Sequence, residues 1–282
     1  MHSLTRRRFL QTATGAAVLS GRPLSAQPTI RFGLTPVFLD NDGAVLDALA
    51  LALSEAAGVP IEFEQRRTYE EVTGLLLQGS IDAAWLCGFP YLQHRDELSL
   101  LAVPVWRGRP LYQSYLIAGP EDAARSLADL RGGVHAFSDP DSNSGYLVTA
   151  TDIIRLGERP ETFFRHGIFT YGHRNVVRAV ADGLTRSGSV DGYVWEVLNT
   201  REPDLARRTR VVAKSEWFGF PPICARADRR AELHVDILRK ALLGLGGTAV
   251  GGDALALLQL DAMAEAGPEL FAGIAERMKV LA

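Results

Sequence analysis

The chain has 282 residues, 47% of them apolar and 22% charged, the composition of an ordinary soluble protein long enough for two domains. Its formal net charge is −3, and residues 1–26 hold four Arg and no acid, so the remainder carries 26 basic against 33 acidic side chains, a net of −7. A surface that acidic argues against a nucleic-acid partner, because phosphate neutralisation needs clustered Lys and Arg. Any anion must be met by dipoles and neutral donors.

In chain order, the first segment reads as an export signal. Arg6 and Arg7 precede Phe9-Leu10, a mildly apolar stretch follows, and a small-residue site ends at Ala26. That order, too short to span a membrane, looks like a bacterial twin-arginine signal, implying the Tat translocase as a transient partner and a soluble, periplasmic mature protein. No haem, iron–sulfur or flavin signature accompanies it, so no cofactor is expected.

Strand-like and helix-like patches then alternate. "TIRFGL" reads as a strand, "AVLDALALALSEAAG" as a helix stopping at Gly58, and "IEFEQ" as a strand. "YEEVTGLLLQG" places Val72, Leu75 and Leu76 on one helical face, and "IDAAWL" is an apolar run of the kind buried in a parallel sheet. A second unit follows "YQSYLIAGPED": helix "SLADLRGG", strand "VHAFSD", helix "SNSGYLVTATDIIRLG", helix "HRNVVRAVADG" and strand "VDGYVWE". From about Ala225 the chain reads as mostly helical. The alternation predicts an α/β protein of two lobes, joined by extended segments near 112–118 and 210–225 and leaving a cleft at the strand ends.

Cys87 and Cys224 could pair or remain core thiols; the sequence leaves both open. No paired-cysteine or His-x-x-x-His spacing suggests a metal site.

The segment "SDPDSNSGYLV" places small polar residues directly before a helix. Ser142 suits an N-cap, the amides that follow have no helical partner, and the hydroxyls of Ser142 and Ser144 add donors. Gly145 would let a ligand approach the backbone. The plain alternative is a cap that holds nothing.

Three stretches in this order, "YEEVTGLLLQGSIDAAWLCGFPYL", "AFSDPDSNSGYL" and "GHRNVVRAVADG…VDGYVWE", resemble the periplasmic phosphonate- and phosphate-type binding proteins of ABC importers, the phosphonate-binding family. The resemblance covers most of the chain after the signal. It implies a type II periplasmic binding fold of two α/β lobes: lobe 1 over 27–115 and 216–282, lobe 2 over 116–215. It further implies that Ser142, Asn143, Ser144 and Gly145 take the oxygens of an oxyanion, that Tyr69 donates from the other lobe, and that Tyr91, His173 and Asp191 line the cleft. Asn143 stands where the family has a threonine, and Cys87 where a small residue is more ordinary. The function implied is capture of phosphate, phosphite or a phosphonate for an ABC permease. The alternative is a sensor protein for an arsenite-like oxyanion, feeding a histidine kinase, with Cys87 as a thiophilic contact.

Each residue also has a structural reading: Tyr69 opening a helix, Tyr91 packing in a core, His173 at a helix start, Asp191 capping. An enzyme is not expected. Ser144 is not in a Gly-x-Ser-x-Gly elbow and no phosphate-loop signature occurs, although Ser144, His173 and Asp191 could be drawn as a triad.

Overall fold

The computed structural model describes residues 29–37 and 43–281; the export signal read at 1–26 lies outside the described residues. The chain begins with β1 (Ile30–Leu34), α1 (Gly43–Ala57), β2 (Ile61–Gln65), α2 (Tyr69–Leu77), β3 (Ala83–Trp85), α3 (Gly88–Gln93), β4 (Leu98–Val105) and β5 (Leu111–Tyr112). It continues with β6 (Ser114–Ala118), β7 (Val134–Phe137), a π-helical turn (Asn143–Leu147), α4 (Val148–Arg155), α5 (Pro160–Phe163) and β8 (His166–Phe169). Then come α6 (His173–Ala181), β9 (Ser187–Asp191), α7 (Gly192–Arg201), α8 (Pro203–Ala206) and β10 (Arg210–Lys214). Last are β11 (Phe218–Gly219), β12 (Ile223–Arg226), α9 (Leu233–Leu243), α10 (Ala249–Leu258), β13 (Ala262–Ala264) and α11 (Ala272–Leu281).

Two mixed sheets result, ordered β13-β4-β12-β3-β1-β2 and β10-β6-β9-β7-β8. In the first, β1 runs parallel to β2 and β3; in the second, β7 runs parallel to β8 and β9. The crossings between sheets pair with each other: β5 and β11 form a short antiparallel ribbon, Tyr112 opposite Phe218. Two paired crossings are the geometry of a hinge.

The apolar runs behave as their patterning demands, with Ile30, Phe32 and Leu34 of β1 and Val72 and Leu76 of α2 buried. Strand β9 is different, since "SGSVD" is wholly buried without being apolar. Its hydroxyls are satisfied by His135 on β7, whose ring nitrogens lie 2.8 Å from the Ser187 and Ser189 oxygens. Burial holds that imidazole neutral, lowering its pKa to about 3.

One expected element is corrected. "VDGYVWE" is not a strand: β9 stops at Asp191 and α7 starts at Gly192. The Asp191 carboxylate is the N-cap, accepting the Tyr193 amide at 2.8 Å and the Val194 amide at 3.3 Å. The alternation seen in the sequence is outweighed by a cap that satisfies two orphan donors.

Candidate functional site

Tyr69 owes its position to the start of α2. Thr68 and Glu71 form a reciprocal capping box there, Thr68 Oγ1 accepting the Glu71 amide at 3.1 Å and Glu71 Oε2 accepting the Thr68 amide at 3.1 Å. The first helical residue, Tyr69, thereby faces the other sheet. Its amide donates to Asp139 Oδ2 at 3.2 Å, and its hydroxyl lies 3.2 Å from His173 Nε2.

His173 opens α6 after Gly172, whose φ of +155° a side chain would rarely allow. The Asp191 amide donates to His173 Nδ1 at 3.1 Å. A backbone N–H can only donate, so Nδ1 is the acceptor, and burial lowers the pKa of the ring to about 3. The neutral ring therefore carries its proton on Nε2 and donates it to the Tyr69 oxygen, leaving the Tyr69 hydroxyl hydrogen for a further partner. Burial also raises the pKa of Tyr69 well above the usual phenol range, so the hydroxyl keeps that hydrogen.

The segment around Ser142 opens as a π-helical turn rather than an α-helix, with the Leu147 amide reaching back to the Ser142 carbonyl at 3.0 Å. Here one expectation is corrected, and the glycine gains a second reason. The amides of the first turn are not all uncompensated: Asn143 N–H donates to Cys87 Sγ at 3.3 Å, and Gly145 N–H to the Ser142 Oγ cap at 2.9 Å. Gly145 is needed for a protein contact, because a Cβ there would lie 1.7 Å from Ser138 Oγ.

Cys87 ends the β3 connection at the N-cap of α3. Burial dominates its electrostatics and raises its pKa to about 11, against smaller lowering contributions from the Phe89 and Asn143 amides. Tyr112 accepts Asn143 Nδ2–H at 3.0 Å, and Asn143 Oδ1 is left buried without a partner. Ser138 Oγ is likewise buried and unpartnered. Such atoms each cost about 1–3 kcal/mol: the Ser138 hydroxyl can be satisfied by an acceptor oxygen of a ligand, whereas Asn143 Oδ1 accepts only and needs a protonated one.

Tyr69, Cys87, Ser142, Asn143, Ser144, Gly145, His173 and Asp191 thus come together between the sheets, all buried. Tyr91 does not join them. One turn along α3 it packs on Phe271, ring centres 5.0 Å apart, on the side where α3 meets the approach to α11. The triad is also excluded geometrically: both His173 nitrogens are engaged by Tyr69 and the Asp191 amide, and the Asp191 carboxylate serves α7. Cys87 and Cys224 are both buried and unbridged.

The sequence reading missed Tyr112, Asp139 and Arg277. Tyr112 carries no motif and matters because it stands on a crossing strand; Asp139, three residues before Ser142, was readable as part of the polar run. Arg277 on α11 is 2% exposed. It donates to the Val148 carbonyl at 2.9 Å, Thr151 Oγ1 at 2.6 Å and Asp152 Oδ1 at 2.7 Å, and forms a two-pronged pair with Glu216 at 2.9 and 2.8 Å. The C-terminal helix is thereby tied to α4, the helix that continues from the π-turn.

Among the described residues no helix is long and apolar enough to cross a membrane. A family model described as "ABC transporter, phosphonate, periplasmic substrate-binding protein" matches residues 32–271. The phosphate-import protein PhnD of Mycolicibacterium smegmatis is 30% identical over 173 residues, which cover 57% of this chain and 54% of that protein, so the match spans about half of the relative. The fold is similar to a binding protein component of an ABC phosphonate transporter from Pseudomonas aeruginosa, with a TM-score of 0.82 at 22% identity over 89% of this chain and 86% of the other. It is also similar to PhnD1 from Prochlorococcus marinus in complex with methylphosphonate, with a TM-score of 0.79 at 17% identity over 90% of this chain and 98% of the other. These likenesses show a type II periplasmic binding protein fold.

Proposed function

The chain belongs to the family of phosphonate-type periplasmic substrate-binding proteins of ABC transporters, which bind substrates and are not enzymes, and on that premise we propose that it captures a phosphorus oxyanion. The ligand is phosphate, phosphite or a phosphonate, held between a lobe formed by 27–115 and 216–282 and a lobe formed by 116–215. The observation that carries this reading is the Tyr69–His173–Asp191 chain, which aims a phenol hydrogen inward without a cationic side chain. Ser142, Asn143 and Ser144 supply further donors from the opposite sheet. Each replaces a water of the anion, and closure of the lobes shifts the population toward the bound form.

Delivery to an ABC permease, export through the Tat translocase and residence in the periplasm complete the proposal. The Arg6-Arg7 signal motif and the family support it. Thermal melting and calorimetry with phosphate, phosphite, methylphosphonate and sulfate test the binding claim. Phosphorus oxyanions should stabilise the fold, by about 2.7 kcal/mol at a hundred times Kd, without turnover. If none of them shifts melting, the proposal fails.

A second reading is favoured by the place of Cys87 inside the cluster: a sensor for an arsenite-like species, feeding a histidine kinase. It requires that arsenite stabilise the protein and that Cys87→Ser abolish this effect alone. Arsenite without effect on the unaltered protein removes it.

A further inference from the structure

Asp139 follows β7 of the second sheet, whereas Tyr69 opens α2, which packs on β1 and β3 of the first. The two meet through the backbone: the Tyr69 amide donates to Asp139 Oδ2 at 3.2 Å, and Asp139 is only 1% exposed. That amide is left over by the local cap. Thr68 Oγ1 takes the Glu71 amide and Glu71 Oε2 takes the Thr68 amide, so the capping box does not serve the first helical N–H. Its acceptor comes from the opposite sheet instead.

The same residue orders the donor segment. Asp139 Oδ1 accepts the Asp141 amide at 2.8 Å and the Asp139 carbonyl accepts the Ser142 amide at 3.0 Å, which fixes the turn leading into Ser142. One residue earlier, the Ser138 carbonyl accepts the Gly172 amide at 3.3 Å and ties that turn to the start of α6, where His173 stands. A carboxylate offers one acceptor oxygen to each of the two amides and presents a donor to neither. Its charge also lies at the N-terminal, positive end of α2. Burial raises the Asp139 pKa, and the Asp141 and Tyr69 amides pull it back.

Tyr69 is thus held at both ends from the second sheet, the amide by Asp139 and the phenol by His173. We propose that Asp139 is a positioning residue of the oxyanion site: by holding the Tyr69 amide across the gap between the sheets, it sets the Tyr69 hydroxyl at fixed reach from Ser142, Asn143 and Ser144. This rests on the phosphorus-oxyanion reading and deepens it, because it names what places the donor on which that reading stands. Parting of the sheets would return the Tyr69 amide and the carboxylate to water, so the hydroxyl is in place only while the two sheets are together.

The test is calorimetry of the whole chain with phosphite, phosphate and methylphosphonate. Asp139→Asn keeps the size of the side chain and an acceptor for the Asp141 amide, and turns N–H groups toward the Tyr69 amide. It should weaken the tightest-binding of the three anions about ten-fold, the scale of one hydrogen bond to a charged group, and by less than about two-fold when Tyr69 is already Phe. A residue that serves the fold alone would cost the same in both backgrounds, so equal costs overturn the assignment. Amide exchange followed by NMR reads the contact in the unaltered protein, without any variant. The Tyr69 N–H should exchange far more slowly than an open amide, and exchange at the open rate overturns the proposal as well. If none of the three anions binds the unaltered protein, the oxyanion reading fails and the role of Asp139 toward the ligand falls with it; equal costs remove Asp139 alone.

Discussion

The phenol oxygen of Tyr69 and Nε2 of His173 stand 3.2 Å apart, although the two residues begin helices that pack on different sheets. Because the Asp191 amide fixes the imidazole tautomer, the hydrogen on Tyr69 is directed to a third group. Tyr69→Phe should therefore weaken oxyanion binding by about 1.5–3 kcal/mol, the range for a hydrogen bond to a charged group. It also leaves His173 Nε2–H unpaired, so the melting temperature of the free protein should fall. Calorimetry showing full affinity in this variant would remove Tyr69 from the site.

Ser144 faces Tyr112 and belongs to the π-turn; burial keeps the Tyr112 phenol protonated, well above its usual range. Ser144→Ala deletes one donor without opening a large cavity. The expected loss is about 1–3 kcal/mol in oxyanion affinity, with stability changed by less. Isothermal titration beside a urea melt separates the two.

Arg277 is the clamp between α11 and α4. Arg277→Ala would leave Glu216 and Asp152 facing each other's neighbourhood without a cation, at a cost of about 3 kcal/mol, the low end for a broken buried pair because both acids keep part of their water. A urea denaturation midpoint that does not move would show that α4 is held by packing alone. Small-angle scattering of the ligand-free variant should also show a larger radius of gyration, as the sheets lose this tie.

Asp191 and His173 have opposite effects on the pH profile. The folded Asp191 pKa, raised to about 7 by burial, lies above an unfolded carboxyl of about 3.9, so its stabilising contribution is complete below about pH 4 and is lost as pH rises through 7. The folded His173 pKa, lowered to about 3 by burial, lies below an unfolded value of about 6.5, so its contribution is present above that value and is lost as pH falls toward 3. Asp191→Asn keeps a competent helix cap and removes only the first effect. Stability of this variant should rise more steeply than that of the parent from pH 4 to 7, on the order of 4 kcal/mol for a shift of about three units. Parallel pH profiles in chemical denaturation would count against a protonated Asp191.

Much of the architecture was legible because periodicity reports which face of an element is buried. The alternation from "TIRFGL" to "IDAAWL" became β1 to β3 with their helices, and the strand–helix segments after Tyr112 became the second sheet and its cover, except that "SLADLRGG", expected as a helix, makes only a 3-10 turn at Ala128–Leu130. The reading failed where a polar partner outweighed apolar pattern. "VDGYVWE" turned helical because Asp191 caps it, and the Ser187–Ser189 part of β9 passed unread because His135 satisfies its hydroxyls from another strand. Tyr91 shares its stretch with Cys87, yet one turn of α3 carries it to Phe271.

By itself the sequence determined that the chain alternates strands and helices, that an oxyanion would meet few cations, and that residues 142–145 start a helix with polar donors. All of these are local quantities: side-chain period, charge count, the order of small residues before an apolar face. Which donors stay free was decided only by tertiary structure. Cys87 covers the Asn143 amide, Ser142 caps that of Gly145, and Asp191 sets the proton on His173, each through residues brought together by packing. A hydrogen bond depends on distance and direction between groups far apart in the chain, and pattern along the chain encodes neither.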